Sequence, residues 1–146
     1  MFSAYCPDLL LGQCLTDVAR TPDFIVRWTF SGRTSPYILQ TYCGFRVTHE
    51  GETILTQRTR YTRTDFDESL TDANRRFDRD VVRLTSLLPV KIVSVKCSNT
   101  NDLILCAENH LRIEIFADAP PVCEDWRFGP QDDVRLSAFT DCVHLK

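Results

Sequence analysis

The feature that most constrains this fold is a series of short segments in which apolar and polar residues alternate. Residues 24–30 show it best, because every even position is apolar while Arg27 and Thr29 lie between. A period of two residues places one face of a β-strand in a core and the other in solvent. Similar segments occupy residues 14–18, 37–47, 53–56, 90–95, 102–106 and 111–116. The short polar turns between them predict antiparallel strand pairs.

One segment between the two groups of strands has the period of an α-helix instead. From residue 65 to residue 88, apolar side chains recur at steps of three and four: Leu70, Ala73, Phe77, Val81, Leu84 and Leu88. This spacing predicts an amphipathic helix at about 66–88, ended by Pro89. On its other face arginines alternate with aspartates, as at Arg79 and Asp80. That alternation favours a solvated face with ion pairs over an anion-binding site.

Together these patterns predict one α+β domain covering residues 1–146. The length of 146 residues and the 43% share of hydrophobic residues suit a single core. We expect an antiparallel sheet, or two short sheets, curved into a sandwich or half-barrel and packed against the one long helix. Asp23–Val26 is similar to Asp102–Leu105, within a faint repeat of about 77 residues. This repeat indicates either a duplication or the chance likeness of apolar strands.

The charge balance restricts the classes of partner. The chain has 20 acidic and 17 basic residues and a net charge of −3, which argues against nucleic acid and anionic membranes as partners. No basic residue precedes Arg20, and no apolar run approaches the ~18 residues of a membrane span. We therefore expect a cytoplasmic protein. In that reducing compartment the seven cysteines, which have no short repeating spacing, are expected to be free and mostly buried thiols.

No motif for catalysis or cofactor binding is present in the sequence. There is no Gly-x-Ser-x-Gly element, and the five glycines are isolated from one another, which disfavours phosphate-binding loops. Cys97, Cys106, His110 and Cys123 do not have the paired spacing of a zinc site. We expect no enzyme activity, no metal and no cofactor. Trp126 fits either a binding anchor or a core residue, and its alternation with Phe128 favours the core.

Three motifs are similar to those of a known class of small bacterial proteins. They are Leu11-Gly12-x-x-Leu15-x-x-Val18, Leu111-Arg-Ile-Glu-Ile-Phe116 and Glu124-Asp-Trp-Arg-Phe128. In layout the chain resembles immunity proteins encoded beside polymorphic or contact-dependent inhibition toxins. This resemblance implies a cytosolic protein that binds one cognate toxin domain, often a nuclease, and blocks it stoichiometrically.

The expected contact surface is acidic, because residues 91–146 contain nine acidic and six basic residues. Complementary charge would speed association with a basic toxin cleft. The candidate partner-binding residues are Glu114, Asp118, Glu124, Asp125, Asp132 and Asp133. One alternative is a small-ligand-binding or enzymatic domain whose pocket is lined by Trp28, Tyr42 and His110. Another is an assembly subunit that associates through a sheet edge or an apolar patch.

Overall fold

The computed structural model describes seven stretches of the chain: residues 6–20, 25–32, 34–41, 44–56, 68–99, 102–117 and 126–132. These stretches form a 3₁₀ turn at Pro7–Leu10, strands β1 Cys14–Arg20, β2 Val26–Phe30, β3 Tyr37–Thr41, β4 Gly44–His49 and β5 Glu52–Thr56, helix α1 Glu68–Thr85, and strands β6 Val90–Cys97, β7 Leu103–Ala107, β8 Leu111–Phe116 and β9 Trp126–Pro130. The segment predicted as one strand at 37–47 is thus two strands, β3 and β4.

The nine strands form one sheet in the order β5-β4-β8-β7-β6-β1-β2-β3-β9, and every pairing is antiparallel. The middle of the sheet is the short contact between β1 and β6, where Leu15 lies opposite Val90. Two backbone hydrogen bonds of 2.8 Å extend this contact, from the Gly12 N–H to the Ile92 carbonyl and from the Ile92 N–H to the Gln13 carbonyl. This junction joins the strands before the helix to those after it.

The predicted sandwich or half-barrel packed against one long helix at about 66–88 is wrong. The β1 to β6 junction makes a single nine-stranded antiparallel sheet, and α1 is shorter than predicted, ending at Thr85 before a turn at Ser86 and Leu87. Alternation along a strand shows which face is buried, but not which distant strand lies beside it. The sequence therefore predicted most of the strands, but neither β9 nor the order of the strands in the sheet.

Curvature allows this one sheet to enclose a core. Trp28 in β2 and Phe45 in β4 lie five strand positions apart, yet their ring centroids are 5.2 Å apart. In a flat sheet five steps of about 4.8 Å would separate them by about 24 Å. The inner faces of β2 and β4 therefore meet inside the curved sheet. Phe77 of α1 packs edge-on against Phe45, with a centroid distance of 6.3 Å.

The core follows the alternation seen in the sequence. Val26, Trp28 and Phe30 are all buried on one face of β2, as predicted. Trp126 and Phe128 are buried as well, which confirms the prediction that both belong to the core. Phe77 and Leu84 of α1 are completely buried. The side chains of Leu70 and Ala73, predicted to lie on the same helix face, are outside the part of the chain that the structure describes.

The strand pairs on the two sides of the junction have the same register. In β1 and β2, Leu15 pairs with Phe30 and Val18 with Trp28. In β6 and β7, 77 residues later, Ile92 pairs with Ala107 and Val95 with Leu105. Even the irregularities correspond, because one follows Leu15 and the other follows Ile92. This agrees with the period of about 77 residues in the sequence.

The correspondence extends to the fourth strand of each group, which is exchanged between them. β4 follows β3 in the chain but pairs with β8, and β9 follows β8 but pairs with β3. The registers of these two strand pairs match as well. The pair of Gln40 in β3 with Arg127 in β9 corresponds to the pair of Glu114 in β8 with Arg46 in β4. The sheet therefore has an approximate two-fold axis at the β1 to β6 junction. The half before the helix supplies β4 and β5 to the other side, and the half after the helix supplies β9.

Candidate functional site

Charged side chains meet on the outer surface of β4 and β8. Phe45 and Val47 of β4 point into the core, so Arg46 between them points outward. On β8 the buried isoleucines alternate with outward residues in the same way. We call the surface formed by Arg46, Arg112, Glu114 and Phe116 the β4–β8 outer face.

Glu114 is neutralised within this face. Arg46 donates from Nε to Glu114 Oε1 at 2.9 Å, and Arg112 Nη2 lies 3.5 Å from Glu114 Oε2. The Glu114 side chain is 12% exposed, whereas the two arginine side chains are each 47% exposed. The Arg46 guanidinium also lies over the Phe116 ring, 5.5 Å from its centroid. The accessible charge of the β4–β8 outer face is therefore positive, beside an aromatic ring that is 36% exposed.

Two of the six predicted contact residues lie in the described part of the chain. Glu114 is in β8, and Asp132 is exposed just after β9, where the Ser35 hydroxyl donates to it at 3.4 Å. Their strands are six positions apart in the sheet. Asp118, Glu124, Asp125 and Asp133 lie outside the described residues.

The sequence prediction missed the arginines beside Glu114. Arg112 could have been found, since residues two apart on a strand share a face. Arg46 could not, because its contact with Glu114 depends on a strand pairing across 68 residues.

Two neighbouring turns form an acidic end of the sheet that the sequence prediction also missed. Glu50 lies in the β4 to β5 turn and Glu108 in the β7 to β8 turn, and both are exposed. The Glu50 N–H donates to the His110 carbonyl at 3.1 Å, which holds the turns together. Glu50, Asn109 and His110 have φ values of 53°, 63° and 59°, a backbone conformation uncommon for residues other than glycine.

The outward face of α1 is basic. Arg75, Arg76, Arg79 and Arg83 are exposed, as the amphipathic pattern predicted. Asp78 accepts from Arg20 of β1, at 2.8 Å from Nε and 3.1 Å from Nη2. This contact joins the helix to the sheet.

Of the three residues expected to line the alternative ligand pocket, the two that the structure describes, Trp28 and His110, do not line a common pocket. Trp28 is completely buried, and its Nε1–H donates to Thr41 Oγ1 at 3.0 Å. His110 is exposed in a turn, and Tyr42 lies outside the described residues. Phe45 and Phe77 occupy the space between the sheet and the helix beside Trp28. Trp28 is therefore a core residue.

The expectation of mostly buried cysteines is wrong for the four that are described. Cys6 and Cys97 are exposed, and Cys14 and Cys106 are half-buried. Cys106 has this position because it lies on the outward side of β7, between the buried Leu105 and Ala107. Cys43, Cys123 and Cys142 lie outside the described residues.

Across the described residues, no group of three histidine, cysteine, aspartate or glutamate side chains is arranged to hold a metal ion. The same residues include no helix that is both long and apolar enough to cross a membrane.

Comparisons of the chain with protein-family models, with curated proteins and with solved structures give no match.

Proposed function

We propose that this chain is a non-enzymatic immunity protein, which binds a cognate bacterial toxin domain and neutralises it by stoichiometric contact. The proposal starts from the resemblance carried by Leu111–Phe116 and residues 124–128. In this proposal the partner is a protein in the cytoplasm, and no cofactor, nucleic acid or membrane takes part.

The observation that carries the proposal is the contrast between the inside and the outside of the sheet. On the inside, Trp28, Phe45 and Phe77 pack ring against ring. On the outside, charged side chains are accessible on the β4–β8 outer face, the acidic turns and α1. In this proposal the partner is recognised across the outer surface, where charge complementarity gives specificity and speed of association.

The direct test uses the toxin domain encoded beside this gene. We expect calorimetry with the purified proteins to give a one-to-one complex, and the toxin activity to disappear at equimolar protein. Absence of both binding and inhibition at about 100 µM, where even a weak complex forms, would refute the proposal.

The acidic contact surface is tested separately. Reversing the charge of Asp132 and Asp133 to lysine is expected to slow association at low salt by about tenfold if these acids face a basic toxin. The matched control is Asp8→Lys/Asp17→Lys, which changes the net charge equally at two exposed residues. Equal slowing by the two double variants, measured by stopped flow, would contradict a local role for Asp132 and Asp133.

A further inference from the structure

We infer that the β4–β8 outer face binds an extended acidic segment of a partner protein that places an apolar side chain on Phe116. This inference deepens the proposed function, on which it rests for the existence of a protein partner, by assigning one contact surface and its chemistry.

The first step is a comparison of two equivalent faces. The approximate two-fold axis relates β4 and β8 to β9 and β3, with matching registers. Arg127 of β9 is equivalent to Arg46 of β4, because their cross-strand partners, Gln40 of β3 and Glu114 of β8, are equivalent to each other. In the same way, Ile38 of β3 is equivalent to Arg112 of β8, and their partners are Gly129 and Thr48. One molecule thus presents two versions of the same surface.

The two versions differ in exposure. On the β9 and β3 side, Gly129 is buried, and Arg127 and Ile38 are only 6% and 4% exposed, although the side chains of both point away from the core. On the β4 and β8 side, Arg46 and Arg112 each keep 47% of the side-chain surface exposed. The face that is buried in one half is therefore open to a partner in the other.

The charges of the open face specify the chemistry of this occupant. Its one carboxylate, Glu114, already binds both arginines, while each arginine side chain remains 47% exposed. The same outward row continues across Ile104 to Lys96, which is exposed and basic. Carboxylates are the protein groups that arginine binds best, often through two parallel hydrogen bonds. A basic segment would meet like charges, so we expect aspartates or glutamates flanking an apolar residue.

The probe is a fluorescein-labelled peptide of about ten residues, long enough to span a β-strand. It consists of glutamate and serine around a central leucine, and two matched peptides replace glutamate by glutamine or by lysine. Fluorescence anisotropy is measured at about 50 mM and 300 mM NaCl to separate charge-dependent binding. We expect only the acidic peptide to bind, and to bind more weakly at high salt. Absence of binding, or equal binding of the lysine peptide, would overturn the inference.

Two double variants locate the binding. Arg46→Glu/Arg112→Glu is expected to weaken the acidic peptide at least about tenfold. Arg27→Glu/Arg79→Glu makes the same change of net charge at exposed arginines of β2 and α1, and is expected to weaken it less than about threefold. Equal losses would show unspecific attraction and contradict the inference. Because the first variant also breaks the contacts of Glu114, circular dichroism must show that it folds.

If Arg46→Glu/Arg112→Glu does not fold, a measurement on the unaltered protein shows where the acidic peptide binds. In a ¹⁵N correlation spectrum, the acidic peptide is expected to shift the amide signals of Arg46, Arg112 and Phe116 more than those of Arg79 and Arg83. The opposite pattern would place the peptide on α1 and overturn the inference.

The toxin domain then separates this inference from the proposed function. Undiminished toxin binding by Arg46→Glu/Arg112→Glu would reject this surface as the contact while the proposed function stands. Specific binding of the acidic peptide to a protein that does not bind the toxin would reject the immunity function while this surface stands.

Discussion

At the scale of single residues, Trp28 and Thr41 form a polar contact inside the core. Trp28 is completely buried and Thr41 is 2% exposed, so neither reaches water. The indole N–H donates to the threonine hydroxyl, which itself lies 3.4 Å from the Val26 carbonyl. A buried indole requires such an acceptor, because an unsatisfied donor retains its full desolvation penalty.

Replacing Thr41 by valine keeps the shape but removes that acceptor. We expect Thr41→Val to lower the free energy of unfolding by about 1–3 kcal/mol, measured by urea denaturation. Thr53→Val in β5 is the control, because Thr53 is exposed and its loss is expected to change stability by less than about 0.5 kcal/mol. Equal effects of the two substitutions would mean that the Trp28 hydrogen bond does not matter to stability.

Elements differ in how they are fixed to the rest of the molecule, and α1 is held mainly by apolar contact. Phe77 packs on Phe45 of β4, and Leu84 is completely buried about two turns further on. The bond between Asp78 and Arg20 adds a polar contact to β1, with side chains that are 51% and 23% exposed. Exposed ion pairs contribute little, so burial of the apolar face dominates.

Phe77→Ala tests the apolar contact of the helix. We expect it to lower the free energy of unfolding by about 3–5 kcal/mol, since it leaves a cavity beside Phe45. Val82→Ala on the same helix is the control, because Val82 is 66% exposed and the change is expected to be within about 0.5 kcal/mol. A small loss for Phe77→Ala would show that α1 is not an integral part of the core.

The ion pair is tested by a double-mutant cycle with Arg20→Gln and Asp78→Asn. We expect a coupling energy below about 1 kcal/mol, decreasing as salt is added, because both partners are reached by solvent. Urea denaturation of the four proteins measures it. A larger coupling that does not respond to salt would show that the contact between helix and sheet is primarily electrostatic.

For the molecule as a whole, the sequence allowed most strands to be predicted, but not β9, the break between β3 and β4, or the arrangement of the strands. Burial of Trp28, Trp126 and Phe128 followed from alternation, which is a local property of the chain. The exchange of β4 and β9 between the halves depends on contacts between distant segments, as does the pairing of Arg46 with Glu114. The same limit applies to the site, where Glu114 was predicted as an acidic contact residue for a partner and the structure shows it bound by arginines.

The exchanged strands have a consequence for stability. β4 completes the pairing of β8, and β9 completes that of β3, so neither half of the chain holds all the strands of its own side of the sheet. The core is also continuous across the junction. Loss of one side therefore removes partners from the other, and we expect the protein to unfold in a single cooperative transition.

Leu105→Ala tests this cooperativity from the side opposite the tryptophans. Leu105 is completely buried in β7, whereas Trp28 and Trp126 report on β2 and β9. The substitution is expected to lower the free energy of unfolding by about 2–5 kcal/mol. Because the halves share strands, tryptophan fluorescence and circular dichroism should record the same lower midpoint in urea. Leu11→Ala, at a residue that is 56% exposed, is the control. A fluorescence midpoint that stays in place while the dichroism midpoint falls would mean that the halves unfold independently.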